Sequence, residues 1–144
     1  MNLSPHFTLA ELTQSEYAAR MGLLNEPGQD EIANLKRMAA LLELVRAKVG
    51  NPIIVSSGYR SPAVNAGIGG SKTSQHMFGC AADIRALGMP VNALMKTICD
   101  SDIQYDQLIL EFGSWVHISV PNKPESKPRR QSLIIDKTGT RAYR

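Results

Sequence analysis

Cysteine is scarce in this chain, with only Cys80 and Cys99 among 144 residues. Two are too few for a disulfide scaffold or a four-cysteine zinc site, and the sequence leaves open whether they pair. Cys80 reads as a small buried filler. Long apolar runs are missing too: none approaches the roughly 18 residues that a membrane span needs, so no integral membrane segment is expected. The opening Met1-Asn2-Leu3-Ser4-Pro5-His6 has neither a basic n-region nor an apolar h-region; neither a secreted precursor nor a membrane anchor is expected from it. Aromatics are only 6% of the chain. Without a stacking platform or a recognised binding motif, the net charge of +3 does not make a nucleic-acid module, and no nucleic-acid partner is expected. What is present, 43% hydrophobic and 20% charged residues, describes one globular domain with a single core. A monomer is expected.

Thr8 before Leu9, with Glu11 three positions after Thr8, is a capping-box order that starts a short helix. Asn25-Glu26-Pro27-Gly28 breaks it. From Asp30 to Val49, Ile32, Leu35, Met38, Ala39, Leu42, Val45 and Val49 fall on one helical face, and Gly50 is a natural stop. Pro52 to Gly58 shortens the period to that of a buried strand. Ser61 to Gln75 is rich in Gly, Ser and Asn and reads as a long loop at the rim of a cleft. Strand-like sequence resumes over Cys80 to Ile84. Pro90 opens a second helix through Ile98. Gln107–Phe112 and Trp115–Val120 read as two strands of a hairpin around Gly113-Ser114. These elements predict an α+β fold, a single compact domain with an antiparallel sheet core and flanking helices.

The core is expected to span residues 1–120. Residues 121–144 form a basic extension packing on or beside it, with seven cations, two acids and Leu133-Ile134-Ile135 as a terminal strand before a turn at Thr138-Gly139-Thr140. Its cations, Lys127, Arg129 and Arg130 among them, are expected to aid attachment to an anionic envelope.

Of three histidines, His6 lies near the chain end and reads as a surface residue. The other two lie in Ser74-Gln75-His76-Met77-Phe78-Gly79-Cys80-Ala81-Ala82-Asp83 and Trp115-Val116-His117. Two imidazoles and one carboxylate make an open three-ligand zinc site, and His76 and Asp83 are spaced for a loop that runs into a strand. Alternation puts Trp115, His117 and Ser119 on one face of a strand and Val116, Ile118 and Val120 on the other. The same donor set also suits Fe(II); equally, a strand histidine can be structural and an Asp after small residues can serve a turn.

Ser57-Gly58-Tyr59-Arg60-Ser61, Ser74-x-His76-x-x-Gly79-x-Ala81-x-Asp83 and Trp115-Val116-His117, in that order, resemble the zinc D-alanyl-D-alanine carboxypeptidases and related phage endolysins. The opening Phe7-Thr8-Leu9-Ala10-Glu11-Leu12 is similar to the start of compact phage and prophage members. The resemblance runs from about Phe7 to Val120. It implies one Zn²⁺ per chain on His76, Asp83 and His117, and a zinc-dependent peptidase that hydrolyses peptidoglycan stem peptides as a DD-carboxypeptidase or endopeptidase. Arg60 matches the motif arginine that engages a carbonyl or carboxylate of the substrate. It further implies a phage or prophage endolysin, made in a host cytoplasm and acting in the periplasm or cell wall after release. The alternative is a non-catalytic, zinc-containing wall-binding or structural domain.

Several relatives carry a Glu three residues before the final histidine, where this chain has Ser114. The general base is therefore sought in Glu111 or Asp106. If Phe112-Gly113-Ser114 is a three-residue connection, Glu111 opposes Trp115, Ile109 opposes His117, and Glu111 shares the histidine's face. If Gly113-Ser114 alone make the turn, parity shifts and Asp106 takes that face instead. Glu111 is the expected base.

Overall fold

Apolar residues two apart build one face of a sheet, and two helices cover it. The computed structural model describes residues 1–143. In it, β1 (Asn2–Ser4) and β2 (Phe7–Thr8) form a small antiparallel pair, followed by α1 (Leu9–Thr13), α2 (Glu16–Met21) and α3 (Gln29–Val49). The Thr8–Glu11 capping box is formed in both directions, and Gly50 closes α3 in the left-handed conformation at φ 79°. Glu43 of α3 accepts from Ser4 Oγ at 2.6 Å and from the His6 backbone N–H at 2.7 Å, tying the first strands to the long helix. There follow β3 (Ile53–Ser57), α4 (Pro62–Gly67), one 3₁₀ turn (Gln75–Phe78), β4 (Ala81–Ala86) and α5 (Val91–Cys99). The chain ends with β5 (Gln107–Glu111), β6 (Trp115–Ser119), β7 (Gln131–Asp136) and β8 (Gly139–Ala142). Among the described residues no helix is long and apolar enough to cross a membrane.

The six long strands lie in the order β3-β4-β6-β5-β7-β8. Val55, Ile84, Val116, Ile118, Leu108 and Leu110 point to the face packed by Met38, Leu42, Leu94, Met95 and Ile98 of α3 and α5. Each such side chain contributes about 1.5 to 3 kcal/mol by leaving water. The opposite face carries the cleft. The expected antiparallel core holds for β3-β4-β6-β5, whereas β7 adds parallel to β5, making the whole sheet mixed. The reason is where the chain returns: residues 120–130 bring it back to the starting end of β5, and Arg130 and Gln131 N–H bond to Tyr105 and Asp106 carbonyls. Residues 131–142 thus continue the sheet of the core.

The stretch expected as an irregular loop from Ser61 to Gln75 contains α4. Ser61 Oγ accepts from the Val64 N–H and Pro62 occupies the first turn, a start signal that the Gly-rich composition obscured. α2, capped by Ser15, is a further short helix that periodicity did not reveal. Two cations of the extension make contacts within the fold. Arg130 donates to the carbonyls of Ile103, Cys99 and Ser101 and lies over the Tyr105 ring. Arg129 is tied along one edge to Asp106, with Nε to Oδ1 at 3.0 Å and Nη2 to Oδ2 at 2.8 Å.

Hydrogen bonds from Arg129 outweigh burial and hold the Asp106 carboxyl below the ordinary carboxylate value. A depressed native pKa gives stability that is fully present above the unfolded value near 4 and lost as pH falls through the native one. With Arg129 half exposed and screened, Asp106→Asn is expected to cost about 1 to 2 kcal/mol at pH 7. Urea unfolding of parent and variant should show that gap closing as pH drops below about 4; a gap independent of pH would mean the charge is not what stabilises.

Candidate metal centre

β4 and β6 bring two of the three donors together by register alone, because Asp83 lies directly opposite His117. His76 comes from the 3₁₀ turn, whose end at Gly79 fixes its reach. Gly79 sits at φ 75°, and a Cβ there would lie 2.6 Å from the Glu31 carbonyl oxygen of α3; only glycine fits both demands. A bulge in β3 between Val55 and Ser57 changes that strand's parity and sets Ser57 opposite Asp83. The Gly58-Tyr59-Arg60 segment that follows therefore enters the cleft side.

The His76 Nδ1–H donates to the Gly58 carbonyl at 2.7 Å. Its Nε2 then faces Asp83 Oδ1 at 3.3 Å, and His117 Nδ1 lies 3.1 Å from the same oxygen. The three donor atoms fall within 4.8 Å of one another, and all three residues are buried. Burial holds the His76 imidazole below its ordinary pKa and so favours the neutral ring. Burial opposes ionisation of Asp83, but the hydrogen bond with His117 outweighs it and keeps the carboxyl well below the usual range. A neutral ring with Nδ1–H committed elsewhere turns a bare lone pair towards a carboxylate oxygen. Two acceptors facing each other fit a cation between them.

Arg60 and Glu111 line the same cleft, of about 450 Å³. Arg60 Nε donates to Ser57 Oγ at 3.2 Å, and its Nη2 lies 3.4 Å from Asp83 Oδ2, the oxygen turned away from the imidazoles. The hairpin takes the three-residue connection: Phe112 and Gly113 both have positive φ, Glu111 opposes Trp115 and Ile109 opposes His117. Glu111 thus shares the histidine's face, with Oε1 4.0 Å from His117 Nδ1 and Oε2 accepting from Trp115 Nε1–H at 3.1 Å. Burial, reinforced by the Asp83 charge, raises the Glu111 pKa. Asp106 is occupied by Arg129 and by Gln75 Nε2 at 3.2 Å, and is not among the groups lining the cleft.

Three supporting groups escaped the sequence reading. Asn25, read only as part of a break, donates to the Thr13 and Tyr59 carbonyls and accepts from the Ser61 N–H, clamping the Arg60 segment. The Gly58 carbonyl orients His76, and the Trp115 indole orients Glu111. The motif spacing marked Gly58 and Trp115 as neighbours of the site; nothing local marked Asn25.

The sequence model of the Peptidase M15 family matches residues 5–119. The chain belongs to that family. Over 46 residues it is 44% identical to the zinc D-Ala-D-Ala carboxypeptidase of Streptomyces albus G, covering 31% of this chain and 18% of that protein. The chain therefore spans far less than two thirds of that relative's length. Beside that family membership stands a donor set, His76, Asp83 and His117, placed to hold a metal ion.

A Cβ at Gly58 would lie 2.4 Å from the Leu12 carbonyl oxygen, so Gly58→Ala must shift the segment whose carbonyl holds His76. It is expected to weaken zinc binding about 10- to 100-fold, the usual effect of losing an outer partner of a ligand. Competition with a chromogenic chelator measures this; unchanged affinity in a folded variant would show that the Gly58 carbonyl is dispensable.

Proposed function

We propose that the protein is a zinc-dependent hydrolase of peptide bonds in bacterial peptidoglycan stem peptides, as a DD-carboxypeptidase or endopeptidase. The observation that carries the reading is one open cleft in which the His76–Asp83–His117 group, Glu111 and Arg60 converge. In it His76 Nε2, Asp83 Oδ1 and His117 Nδ1 would hold the zinc ion. Zinc held there supplies Lewis acidity, acidifying a water molecule and polarising the amide carbonyl.

Glu111 accepts the proton of the attacking water through Oε1, while the Trp115 indole fixes Oε2. The same carboxyl then returns the proton to the leaving amine nitrogen as the C–N bond breaks. A carboxyl whose pKa burial has raised suits both halves of that transfer. Arg60 stays charged and offers a planar donor fork to the oxyanion that develops on the carbonyl oxygen, or to a substrate carboxylate. Through Nη2 it also steadies Asp83.

The similarity of the Phe7–Leu12 segment to compact phage members supports an endolysin role. The substrate polymer lies outside the cytoplasmic membrane, so a phage-encoded enzyme made in the host cytoplasm acts after release into the periplasm or wall.

His76→Ala, Asp83→Ala and His117→Ala are each expected to lose stoichiometric zinc by elemental analysis while remaining folded. Glu111→Gln should keep zinc and lose about 100-fold or more in the release of amino groups from purified peptidoglycan. Arg60→Ala should cost activity more than zinc, with little rescue by lysine. Full zinc in the parent without any cleavage would instead identify a wall-binding domain, and near-normal cleavage by Glu111→Gln would remove Glu111 as the base.

A further inference from the structure

We infer that Arg129, which lies beyond the segment shared with the family, binds a carboxylate of the substrate at the end of the cleft remote from the metal group. The inference rests on the peptidase reading for the identity of the ligand and on the geometry for the site itself. At one end the cleft is lined by His76, Asp83, His117, Glu111 and Arg60; at the other stand Gln107, Asn122 and Arg129. No acid lines that second end.

The guanidinium is held along a single edge. Nε and Nη2 donate to Asp106 at 3.0 and 2.8 Å, the Arg129 backbone N–H adds a third bond at 3.1 Å, and Gln75 steadies the same carboxylate. Asp106 is 4% exposed, so the anchor is rigid and dry, yet the Arg129 side chain is 56% exposed. Its Nη1 makes no hydrogen bond to any described residue. A planar donor with one edge fixed by a buried carboxylate and the other open to a cleft is pre-organised for a second carboxylate. The ion pair with Asp106 cancels most of the long-range field, so the grip is directional and short in range.

Asp106 stands three residues before Ile109, the strand partner of His117, on the order of 10 Å along extended backbone. An extended peptide with its scissile bond at the metal group therefore brings a carboxylate about three residues away to Arg129. The ligand class is an acidic peptide carrying a side-chain or branch carboxylate at that remove.

The test uses the zinc-loaded full chain and two synthetic stem peptides that differ only in carboxylate or carboxamide at that position. The parent is expected to favour the acid about tenfold in kcat/KM, mainly through KM, and Arg129→Gln to bring the ratio close to one. Arg129→Lys keeps a charge for Asp106 but loses the fork, and should fall between. Calorimetric binding of both peptides to Glu111→Gln, with and without Arg129→Gln, reads the same preference without turnover. A preference for the acid that survives Arg129→Gln and Arg129→Lys, or no preference in the parent, overturns the inference. Failure of the parent to cleave either peptide would count against the peptidase reading, while the binding ratio still decides Arg129.

Discussion

Asp83 carries a negative charge at a position that is almost sealed from water, where an unpaired carboxylate would be too costly to keep. His117 on one oxygen and a guanidinium on the other make that charge tolerable, and the first oxygen also faces the His76 ring across the space a cation would fill. Each partner reaches Asp83 from a different part of the chain: the turn after α4, strand β6, and the segment that follows β3. The site and the fold are thereby coupled. The register of β4 against β6, the bulge in β3 and the glycine that ends the 3₁₀ turn all serve to bring these partners to one buried carboxylate.

The same requirement explains what could be read from the sequence. Strand alternation in Trp115–Val120 correctly separated a site face from a core face, because Val116 and Ile118 have only one way to be buried. The hairpin register was legible only as two alternatives. Its outcome depends on Phe112 accepting a positive φ, a conformation that a bulky residue adopts at a cost and that local turn preferences argue against. α4 stayed hidden because its start signal, Ser61-Pro62, sits in a Gly- and Ser-rich stretch whose composition speaks for loop. Asn25 could not be found at all, since its partners are backbone groups at Thr13, Tyr59 and Ser61, far apart in sequence. The parallel addition of β7 is of the same kind: it follows from where a long connection returns and not from any pattern inside the strand.

Composition is silent on the contacts that the extension makes. Its net charge points to an anionic partner, and charge counted along a chain carries no information on where each side chain ends. Arg130 spends its donors on three backbone carbonyls, and Arg129 is clasped by an acid from the core. These contacts fasten the parallel strand to β5 at the end where its ladder begins, so the extension is an integral edge of the sheet and not an appendage.

The three-residue connection Phe112-Gly113-Ser114 has an implication for how such a protein can change over evolutionary time. Because neighbouring residues of a strand face opposite ways, inserting or deleting one residue in that connection forces a choice unless the turn changes its own type. If β6 keeps its own register against β4, Glu111 must turn away from His117 or β5 must invert its apolar face. If instead β6 follows the hairpin, His117 rotates into the core and Val116 enters the cleft. Length drift at this turn therefore demands a new turn geometry at each step, whereas the connection over residues 120–130, which no ladder threads, can absorb any number.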